Sequence, residues 1–549
     1  MRTALFVGCA LAAACSTSNG LGPDEIPLVI AQRCPGDANC PDVGDGKLYV
    51  GAAKREATPT IEPFTDTNSN GVWDPGEPFV DKNGNGQFDA FWIAGYGNGR
   101  LAYDVHDPVW VRAWVLRYNE TTIAFFSVDC VGFFLDPDLE DVRKLIDPSL
   151  QVDLVVVSST HDHQTADLTG QWGPDLNTRG VNDGYMAMVK QLAADAIAEA
   201  VGKLKPAKLT AGSIPVVSPA GDETLYVSDT RDPVVIDNRM HVLQFDGLDD
   251  GKPIVTVVDW AAHPDSVGAH NHSISSDFVD ALRTEAELGT GDDVVYVTGA
   301  VGGQIGSGRV HPIDPATGQP LARHDDPPAF DFANAWGKSV ASFVPRALDP
   351  SQGGDVVVDP APRLSFRTTK FDVHVENIAF QAAAQLGLIE RSFFGYDPHK
   401  ALRGSNEPLI HTEEAYIQLG SQISIITIPG ELCPELFLGG YDGSDAYNWQ
   451  FIDESKPNAP NPALAPKPPY LRDVMDGAYA HRMVFGLSID FLGYIVPRYN
   501  FVLDTTAPYL QDAPGDHYEE TNSIGPRAEP ELVGTARQLV LDGRPNVAR

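Results

Sequence analysis

The chain has 549 residues, and its 75 Asp and Glu against 39 Lys and Arg give a formal net charge of −36. This charge argues against a nucleic-acid partner, because phosphate binding needs a basic patch. Apolar residues make up 43% of the chain and allow a sizeable core, and the length would accommodate two to four average domains. The acidic residues are spread over many loops, which suits a soluble exported protein with cation sites.

The first residues are typical of a targeting segment. Arg2 provides a minimal positive region, residues 4–14 are apolar, and Ala12-Ala13-Ala14-Cys15 resembles a bacterial lipoprotein processing site that would leave Cys15 as the lipid-bearing N-terminus. The alternative is an ordinary secretory signal. We assign residues 1–15 to a lipoprotein signal peptide that is processed before Cys15, and we expect the protein to be exported to the outer membrane or cell surface, or otherwise to be periplasmic or secreted. No later stretch reaches about 18 uninterrupted apolar residues, so the membrane is expected as a partner only through the lipid anchor.

Residues 16–45 are polar and rich in Pro and Gly, which predicts a flexible tether. Within it, Cys34 and Cys40 lie close enough in sequence to form a local disulfide in an exported chain. Cys130 and Cys433 follow predicted strands, and we expect them to be small buried thiols rather than disulfide partners or metal ligands.

Two tandem loops between residues 66 and 89 have the spacing of calcium-binding loops, in which carboxylate and amide oxygens surround the ion and glycine makes the sharp turn. The first has its predicted ligands at Asp66, Asn68, Asn70, Asp74 and Glu77, and the second at Asp81, Asn83, Asn85 and Asp89. Trp92 stands where the second loop would have its closing Glu. We predict structural calcium here, the alternative being turn-rich loops without an ion.

Apolar and β-branched runs predict strands at residues 121–128, 154–157, 255–258, 294–297 and 423–428. Helices are predicted near residues 139–146 and at 185–204, the second with Met188, Leu192, Ile197 and Ala200 facing the core. Residues 345–362 are interpreted as a linker or a surface loop. The pattern predicts a mixed α/β fold with central β-sheets flanked by helices, in one domain over residues 46–549.

The strand at 154–157 leads into His161-Asp162-His163. If the extended backbone continues, both histidines point to the same face, because side chains alternate along a strand. Two adjacent imidazoles suit a metal and a proton acceptor. The alternative is a surface loop that happens to hold two histidines.

Several predicted strands end in a residue that can carry chemistry: Asp129, His161 and His163, His263, and Glu431. Two histidines and one carboxylate are a common catalytic zinc ligand set that leaves a position for water, whose pKa zinc brings toward ~7. A structural histidine remains an alternative for His263, and a capping role remains one for Glu431. His270 and His272 are further candidates, with an exposed loop as the simpler interpretation.

These segments resemble the N-terminal catalytic domain of the neutral (non-lysosomal) ceramidases, over residues 48–526. STHDH is similar to that family's THTH signature, DWAAHPDSVGAHNHSISSDF to its second histidine segment and IPGE to its glutamate segment. LGYIVPRYN and HYEETNSIGP are similar to its two tyrosine segments, and DTRDP is a weaker match to a segment with a substrate-binding arginine.

The resemblance implies four zinc ligands: His161, His263, Glu431 and Tyr494. It also implies that His163 is an acid/base or oxyanion partner, that Arg231 orients the substrate, and that Tyr518 supplies a second hydroxyl near the scissile amide. A neutral His163 can take a proton from water and pass it to the leaving amine, and a hydroxyl and a guanidinium can stabilise an oxyanion.

The sequence departs from the family in two places. The family's serine-containing GDxSPN loop is GGQIGS here, so that Ile305 stands in place of the serine, with Ser307 two positions later. The family's C-terminal immunoglobulin-like domain is also expected to be missing.

We therefore predict an exported zinc amidohydrolase that cleaves an N-acyl amide, ceramide-like lipids included. Phe133, Phe134 and Trp172 are candidates for an apolar groove, with core packing as the alternative. An esterase on the same zinc site and a calcium-stabilised, non-enzymatic surface binding protein are the main rival hypotheses. A calcium-dependent phosphodiesterase is disfavoured, because histidine prefers zinc over hard cations. The sequence does not indicate an oligomeric state.

Overall fold

The computed structural model describes residues 29–217, 226–308, 310–314, 316–440, 452–475 and 477–542. The predicted signal peptide and Cys15 lie outside these residues. The strands are β1 (Gln32–Cys34), β2 (Leu48–Glu56), β3 (Asp104–Val105), β4 (Trp110–Tyr118), β5 (Thr121–Val128), β6 (Leu154–Ser159), β7 (Lys205–Pro215), β8 (Arg239–Gly247), β9 (Pro253–Trp260), β10 (Ser273–Ile274), β11 (Asp293–Thr298), β12 (Asp355–Asp359), β13 (Leu364–His374), β14 (Leu409–Leu419), β15 (Ile423–Thr427), β16 (Glu431–Leu432), β17 (His481–Phe485) and β18 (Tyr494–Ile495). The α-helices are α1 (Glu140–Leu145), α2 (Asp183–Gly202), α3 (Asp277–Thr290), α4 (Phe330–Ala341), α5 (Phe343–Ala347), α6 (Ile378–Gln385), α7 (Pro434–Leu438), α8 (Leu471–Val474) and α9 (Gly534–Asp542).

The larger sheet has nine strands in the order β11-β9-β8-β7-β2-β4-β5-β6, with β12 paired to β7. The pairs at its two ends, β9–β11 and β5–β6, are parallel, and the pairs between them are antiparallel. β5 and β6 are buried along their whole length, as expected for strands made of nearly continuous apolar residues. The two end strands also meet, because the Thr298 hydroxyl donates to the carbonyls of Ser159 and Thr160. The carboxyl ends of β6 and β11 therefore lie side by side.

The second sheet has five strands in the order β1-β13-β14-β15-β17, and its β15–β17 pair is parallel. The chain leaving β17 crosses to the larger sheet, where the amide of Gly486 donates to the Thr298 carbonyl at 2.8 Å. The Ser159 amide donates in turn to the carbonyl of Leu487 at 3.1 Å. These bonds bring the carboxyl ends of strands from both sheets to one place in the molecule.

The five predicted strands are confirmed, as are both predicted helices to within a few residues. α2 begins after Asn182, whose side chain accepts from the Tyr185 amide and caps the first turn. One detail of α2 is wrong: Met188 is 38% exposed. The buried face of the helix runs through Val189, Ala193 and Ile197, which places Met188 outside it.

Two other expectations are corrected. Residues 345–362 are not a free linker, because β12 lies within them and pairs antiparallel with β7. The predicted tether is shorter than residues 16–45, since β1 pairs with β13 and Cys34 and Cys40 are fully buried. The disulfide between Cys34 and Cys40 is confirmed, and Cys130 and Cys433 are buried free thiols as expected.

The architecture is thus mixed α/β, with central sheets and helices packed on them, as the sequence predicts. Within the part of the chain that the structure describes, none of the helices combines the length and the apolar composition needed to cross a bilayer.

Candidate metal centre

Four side chains from both sheets meet where these strand ends converge. His161 follows β6 and His263 follows β9, while Glu431 begins β16 and Tyr494 begins β18. Glu431 and Tyr494 are direct partners in the parallel β16–β18 ladder, so the backbone register sets them side by side. All four residues are buried.

The backbone at His161 differs from the predicted extended geometry. β6 ends at Ser159, and His161 has a φ of 65° in the left-handed region. The prediction that strand alternation aligns His161 with His163 is therefore wrong. The turn nevertheless places the two ring centroids 4.9 Å apart, so both imidazoles reach the same centre by another route.

Backbone carbonyls orient the two histidines that follow β6 and β9. The Nδ1 of His161 lies 2.7 Å from the Val131 carbonyl, and the Nδ1 of His263 lies 2.8 Å from the Gln304 carbonyl. Because a carbonyl oxygen only accepts, each Nδ1 carries a proton, which leaves the Nε2 of each ring to face the centre. Metal-binding histidines are usually held in this way by the second ring nitrogen.

The distances among the inward-facing atoms fit a shared cation. The Oε2 of Glu431 lies 3.2 Å from His161 Nε2 and 3.3 Å from His263 Nε2. The Tyr494 hydroxyl lies 3.5 Å from His263 Nε2. Ligands of a tetrahedral zinc ion at ~2.0–2.1 Å are separated by about 3.3 Å, so these residues fit zinc.

His163 stands beside this group. One ring nitrogen each of His161, His163 and His263 lies within 4.8 Å of the others. Both nitrogens of His163 are buried and have no hydrogen-bond partner within the described residues. Buried polar atoms are seldom left unpaired, which indicates that a further group, such as an ion, water or substrate, completes the centre.

The electrostatics separate His163 from its neighbours. Burial disfavours the charged form of His161, but the adjacent Glu431 carboxylate outweighs burial and raises the pKa of this ring. Burial would raise the pKa of Glu431, yet His161 and His263 hold it well below its usual range. Burial, together with the neighbouring imidazoles, lowers the pKa of His163 well below its usual range. His163 is thus a neutral imidazole, able to accept a proton.

A cavity of about 290 Å³ opens from the centre. His161, His163, Glu431, Tyr494 and Tyr518 line one part of it. The rest is mainly apolar and includes the following side chains: Val131, Phe134, Trp172, Val375, Phe380, Ile389, Phe393, Ile410, Phe491, Leu492 and Ile524. Of the three predicted groove residues, Phe134 and Trp172 line this cavity. Phe133 instead packs edge-on against Phe126 in the core.

The two tyrosines form a pair at this wall of the cavity. Their hydroxyl groups are hydrogen-bonded to each other, and their rings meet edge to face with centroids 5.6 Å apart. Burial, together with nearby carboxylates, raises the pKa of both Tyr494 and Tyr518 well above the usual value. Both hydroxyl groups therefore keep their protons, and one of them donates to the other.

Arg231 does not reach the cavity as a substrate-orienting residue would. Its side chain is 2% exposed and forms ion pairs with Glu519 at 2.8 Å and Glu520 at 3.0 Å. It also donates to the Asn500 carbonyl. Because Glu519 follows Tyr518 directly, this ion pair anchors the segment that carries the tyrosine. The guanidinium is paired with two carboxylates that the sequence pattern did not identify as its partners.

Asp129, at the end of β5, is also an ion-pair residue rather than a metal ligand. Its two oxygens accept from the guanidinium of Arg283 at 2.9 and 2.8 Å. His270 is exposed, as the loop interpretation predicts, whereas His272 is half-buried and stacks on Tyr103. Neither Ile305 nor Ser307 is among the residues that line the cavity, so Ser307 does not replace the family's serine there.

Arg100 is a residue of the site that the sequence did not reveal. It is 6% exposed and donates to the carbonyls of Ala94 and His163 and to the side chain of Gln164. It thereby joins the 94–100 segment to the loop that carries His163. Gly95 lies against this loop, since a Cβ there would stand 2.3 Å from His163 Cγ. No motif in the sequence marks this arginine.

The first acidic loop is closed by hydrogen bonds of its own predicted ligands. Asp66 accepts from the backbone amides of Ser69 and Gly71. The side-chain amides of Asn68 and Asn70 donate to the Asp74 carboxylate at 2.6 and 2.8 Å. Glu77 spans the loop by accepting from the amides of Thr67 and Asp74. Gly71, at the sixth position, has a φ of 79°, as a sharp turn requires.

The second loop repeats this arrangement, with Glu62 in the place of Glu77. Asp81 accepts from two amides, and Asn83 and Asn85 donate to Asp89 at 2.7 and 2.8 Å. Glu62 accepts from the amides of Lys82 and Asp89, the same positions that Glu77 contacts in the first loop. The carboxylate missing at position twelve is thus supplied from before the loops, where no spacing rule would search for it.

No protein-family model matches the chain, and no curated protein matches it. Solved structures with a similar fold include two ceramidases. The neutral ceramidase from Pseudomonas aeruginosa is 12% identical with a TM-score of 0.59, and the similarity covers 91% of this chain and 74% of that one. A ceramidase complexed with C2 is 13% identical with a TM-score of 0.57, covering 91% and 75%. The fold and the histidine cluster therefore define a mixed α/β protein with a candidate metal centre. More particularly, the chain has a neutral ceramidase-like fold.

Proposed function

We propose that this protein is a zinc-dependent hydrolase that cleaves an N-acyl amide. One observation carries the proposal: the Nε2 atoms of His161 and His263 lie 3.2 and 3.3 Å from the same carboxylate oxygen of Glu431, so that three metal-ligand atoms face one point. Such an arrangement needs positive charge between the acceptors, and a zinc ion supplies it with the appropriate ligand types. The neutral ceramidase-like fold supports the choice of an amide as the bond cleaved.

The side chains around the centre would divide the work as follows. Bound zinc would supply the Lewis-acid chemistry that generates a nucleophile from water at neutral pH. His163, held neutral, accepts the proton that the attacking water loses and delivers it to the leaving nitrogen. The Tyr518 hydroxyl, which lines the cavity, donates a hydrogen bond to the oxygen that becomes negatively charged. Arg231 acts only through the position of Tyr518.

The apolar part of the cavity favours a substrate with a hydrocarbon chain next to the amide. A ceramide-like lipid meets this description, as does any other long-chain N-acyl amine. An esterase would use the same groups, because water attack and the oxyanion are common to both reactions. A panel of matched N-acyl amides and O-acyl esters of equal chain length separates the two, and we expect the amides to be cleaved.

The first test is elemental analysis of the purified mature protein, together with His161→Ala and Glu431→Ala. We expect about one zinc per chain in the wild type and none in either variant. His272→Ala is the matched control, because this histidine lies outside the cluster and should leave the zinc content unchanged. A protein that holds no zinc, or holds it equally in both variants, would rule out the hydrolase and leave a non-enzymatic binding protein.

We also propose that the two acidic loops bind one structural calcium ion each, with Glu77 closing the first and Glu62 the second. The support is the matching set of hydrogen bonds that these two carboxylates make. Calorimetric titration should show two calcium ions per chain. Glu62→Gln and Glu77→Gln should each lower the count to one. If Glu62→Gln leaves the count at two, the second loop closes by another ligand.

The export route remains a proposal drawn from the sequence. We propose that the chain is processed before Cys15 and that this cysteine carries the lipid. Mass spectrometry of the protein from membranes should show an acylated N-terminal peptide, and Cys15→Ser should release the protein into the soluble fraction. An unmodified N-terminus elsewhere would indicate ordinary secretion.

A further inference from the structure

α6 carries apolar side chains on the face that it turns to solvent. Ile378 is 41% exposed, Leu386, directly after the helix, is 69% exposed, and Ala382 between them is also exposed. Their spacing of i, i+4 and i+8 places the three in one stripe along the helix. A surface helix normally shows polar residues on this face, so the stripe calls for an explanation.

The same helix forms part of the cavity wall on its other side. Phe380 lines the cavity, and Ala383 packs with it against the apolar cluster around Phe134 and Phe491. The chain then continues through Ile389 and Phe393, which also line the cavity. Apolar side chains therefore cover both the solvent-facing side of α6 and the side that lines the cavity.

Charge limits what can cover the stripe. Residues 378–389 contain no charged side chain, although the whole chain carries a net charge of −36. The acidic residues that flank this stretch, Glu376 and Glu390, are already paired with Arg527 and Arg179, so a partner that binds through ion pairs would have to break an existing pair. An anionic lipid surface would be repelled by the protein as a whole. A surface of neutral, zwitterionic lipid meets neither obstacle.

The size of the stripe also argues against a second copy of the chain. An eight-residue helix is about 12 Å long, and a stable dimer buries about 600 Å² or more on each partner. Three side chains on one such helix do not supply that area. Insertion into a bilayer needs no matching surface, because each apolar side chain enters the hydrocarbon independently.

We propose that the stripe formed by Ile378, Ala382 and Leu386 docks the protein onto a neutral lipid bilayer, on the helix whose Phe380 lines the cavity. The proposal deepens the function proposed above, since it states where an amide-bearing lipid would be presented. It makes α6 a two-sided element, with lipid on the outer face and substrate on the inner one.

The test is sedimentation of the zinc-loaded full chain with phosphatidylcholine vesicles, with Cys15→Ser in every sample so that no acyl anchor contributes. Ile378→Glu/Leu386→Glu should weaken binding at least ~10-fold. Leu288→Glu/Leu464→Glu is the matched control, since these leucines are 78% and 66% exposed elsewhere and the added charge is the same. The control should bind like the wild type. Ile378→Ser/Leu386→Ser gives a second variant that adds no charge.

Several outcomes would overturn the proposal. These are wild-type protein that does not sediment with the vesicles, stripe variants that bind as well as the wild type, or a control that loses as much binding. A dimer in gel filtration that only the stripe variants lose would assign the stripe to a second copy. Zinc content is measured in the same samples, and no turnover is needed. A failure of vesicle binding with zinc retained would therefore reject the docking surface alone, whereas loss of zinc would reject the proposed hydrolase.

Discussion

Two buried groups of charged and polar side chains lie close together in this molecule, and they are built on opposite principles. Around Arg231, a cation faces the carboxylates of Glu519 and Glu520, so each charge has its partner. Around Glu431, a carboxylate oxygen faces the Nε2 atoms of His161 and His263, whose Nδ1 atoms donate to backbone carbonyls on the far side of each ring. In the first group every charge is paired within the protein, whereas the second group needs a bound cation.

The two groups show that buried charge can either hold the fold together or bind a ligand. A closed ion pair holds segments together and offers nothing to a ligand. A set of acceptors that face each other is costly until a cation binds, and that cost is what gives the centre its affinity. The family resemblance implies that Arg231 orients the substrate, whereas its contacts make it part of a closed ion pair.

The largest effect is expected from breaking the complete group. Arg231→Met leaves two buried carboxylates without their cation and should lower the free energy of unfolding by about 3–5 kcal/mol, as measured by denaturant titration. Arg363→Met, which removes an exposed ion pair with Asp42, is the control and should cost less than about 1 kcal/mol. Zinc stoichiometry of the folded Arg231 variant should stay the same. Loss of zinc at unchanged stability would show that Arg231 contributes to the metal centre and not to the fold.

A third kind of buried carboxyl, Asp277, forms no ion pair with any residue that the structure describes. It accepts only from neutral donors, among them the Val267 amide at 2.9 Å, and burial raises its pKa to about 7. A folded-state pKa above the unfolded value of ~3.9 gives stability that is present at low pH and lost as the pH rises to 7, roughly 3–4 kcal/mol in all. Asp277→Asn should lack this loss. The difference in unfolding free energy, variant minus wild type, should therefore rise between pH 4 and 7, and a flat difference would show that Asp277 ionises normally.

The incomplete group is tested by adding and removing zinc. At a free zinc concentration 100 times the Kd, the wild type should gain about 2.7 kcal/mol of stability, because only the folded state holds the site. Glu431→Gln should show almost none of this gain under the same conditions. Thermal unfolding with and without zinc measures both. An equal gain in the variant would mean that the metal, if any, binds elsewhere.

The smallest effect concerns the packing that holds His163 beside the centre. A Cβ at position 95 would stand 2.3 Å from His163 Cγ, and Gly95 has a φ of 96°. Gly95→Ala should therefore cost about 1–3 kcal/mol in unfolding free energy. It should also impair the proposed hydrolysis through the displaced imidazole. Gly97→Ala is the matched control, because nothing lies within 4 Å of the added methyl group. Similar costs for both variants would remove the argument for close packing on His163.

Sequence patterns predicted the elements that depend on local composition. The apolar and β-branched runs became β5, β6, β9, β11 and β15, because such runs are buried in a sheet whatever their neighbours. The histidines were visible for the same reason, since they follow these strands directly. Tyr494 came only from the family resemblance, and the structure explains it by the pairing of β16 with β18.

What the sequence could not show is fixed by contacts between distant residues. Arg231 meets Glu519 across 288 positions, and the chain between them folds in a way that no local pattern specifies. Glu62 reaches the second acidic loop from outside the loop's own spacing. The left-handed turn at His161 was also missed, because a β-branched strand gives no sign of the residue at which it stops.

The metal centre forms only if β16 and β18 pair in the correct register. In that short parallel pair, Glu431 and Tyr494 are opposite each other, and neighbouring residues of a strand point to opposite faces. A slip of one residue would set Glu431 against Ile495 and send the carboxylate and the phenol to different sides. A misregistered chain could then keep much of its secondary structure and yet bind no metal. Metal binding would thus distinguish correctly paired molecules from misregistered ones, although the two would have similar circular dichroism spectra.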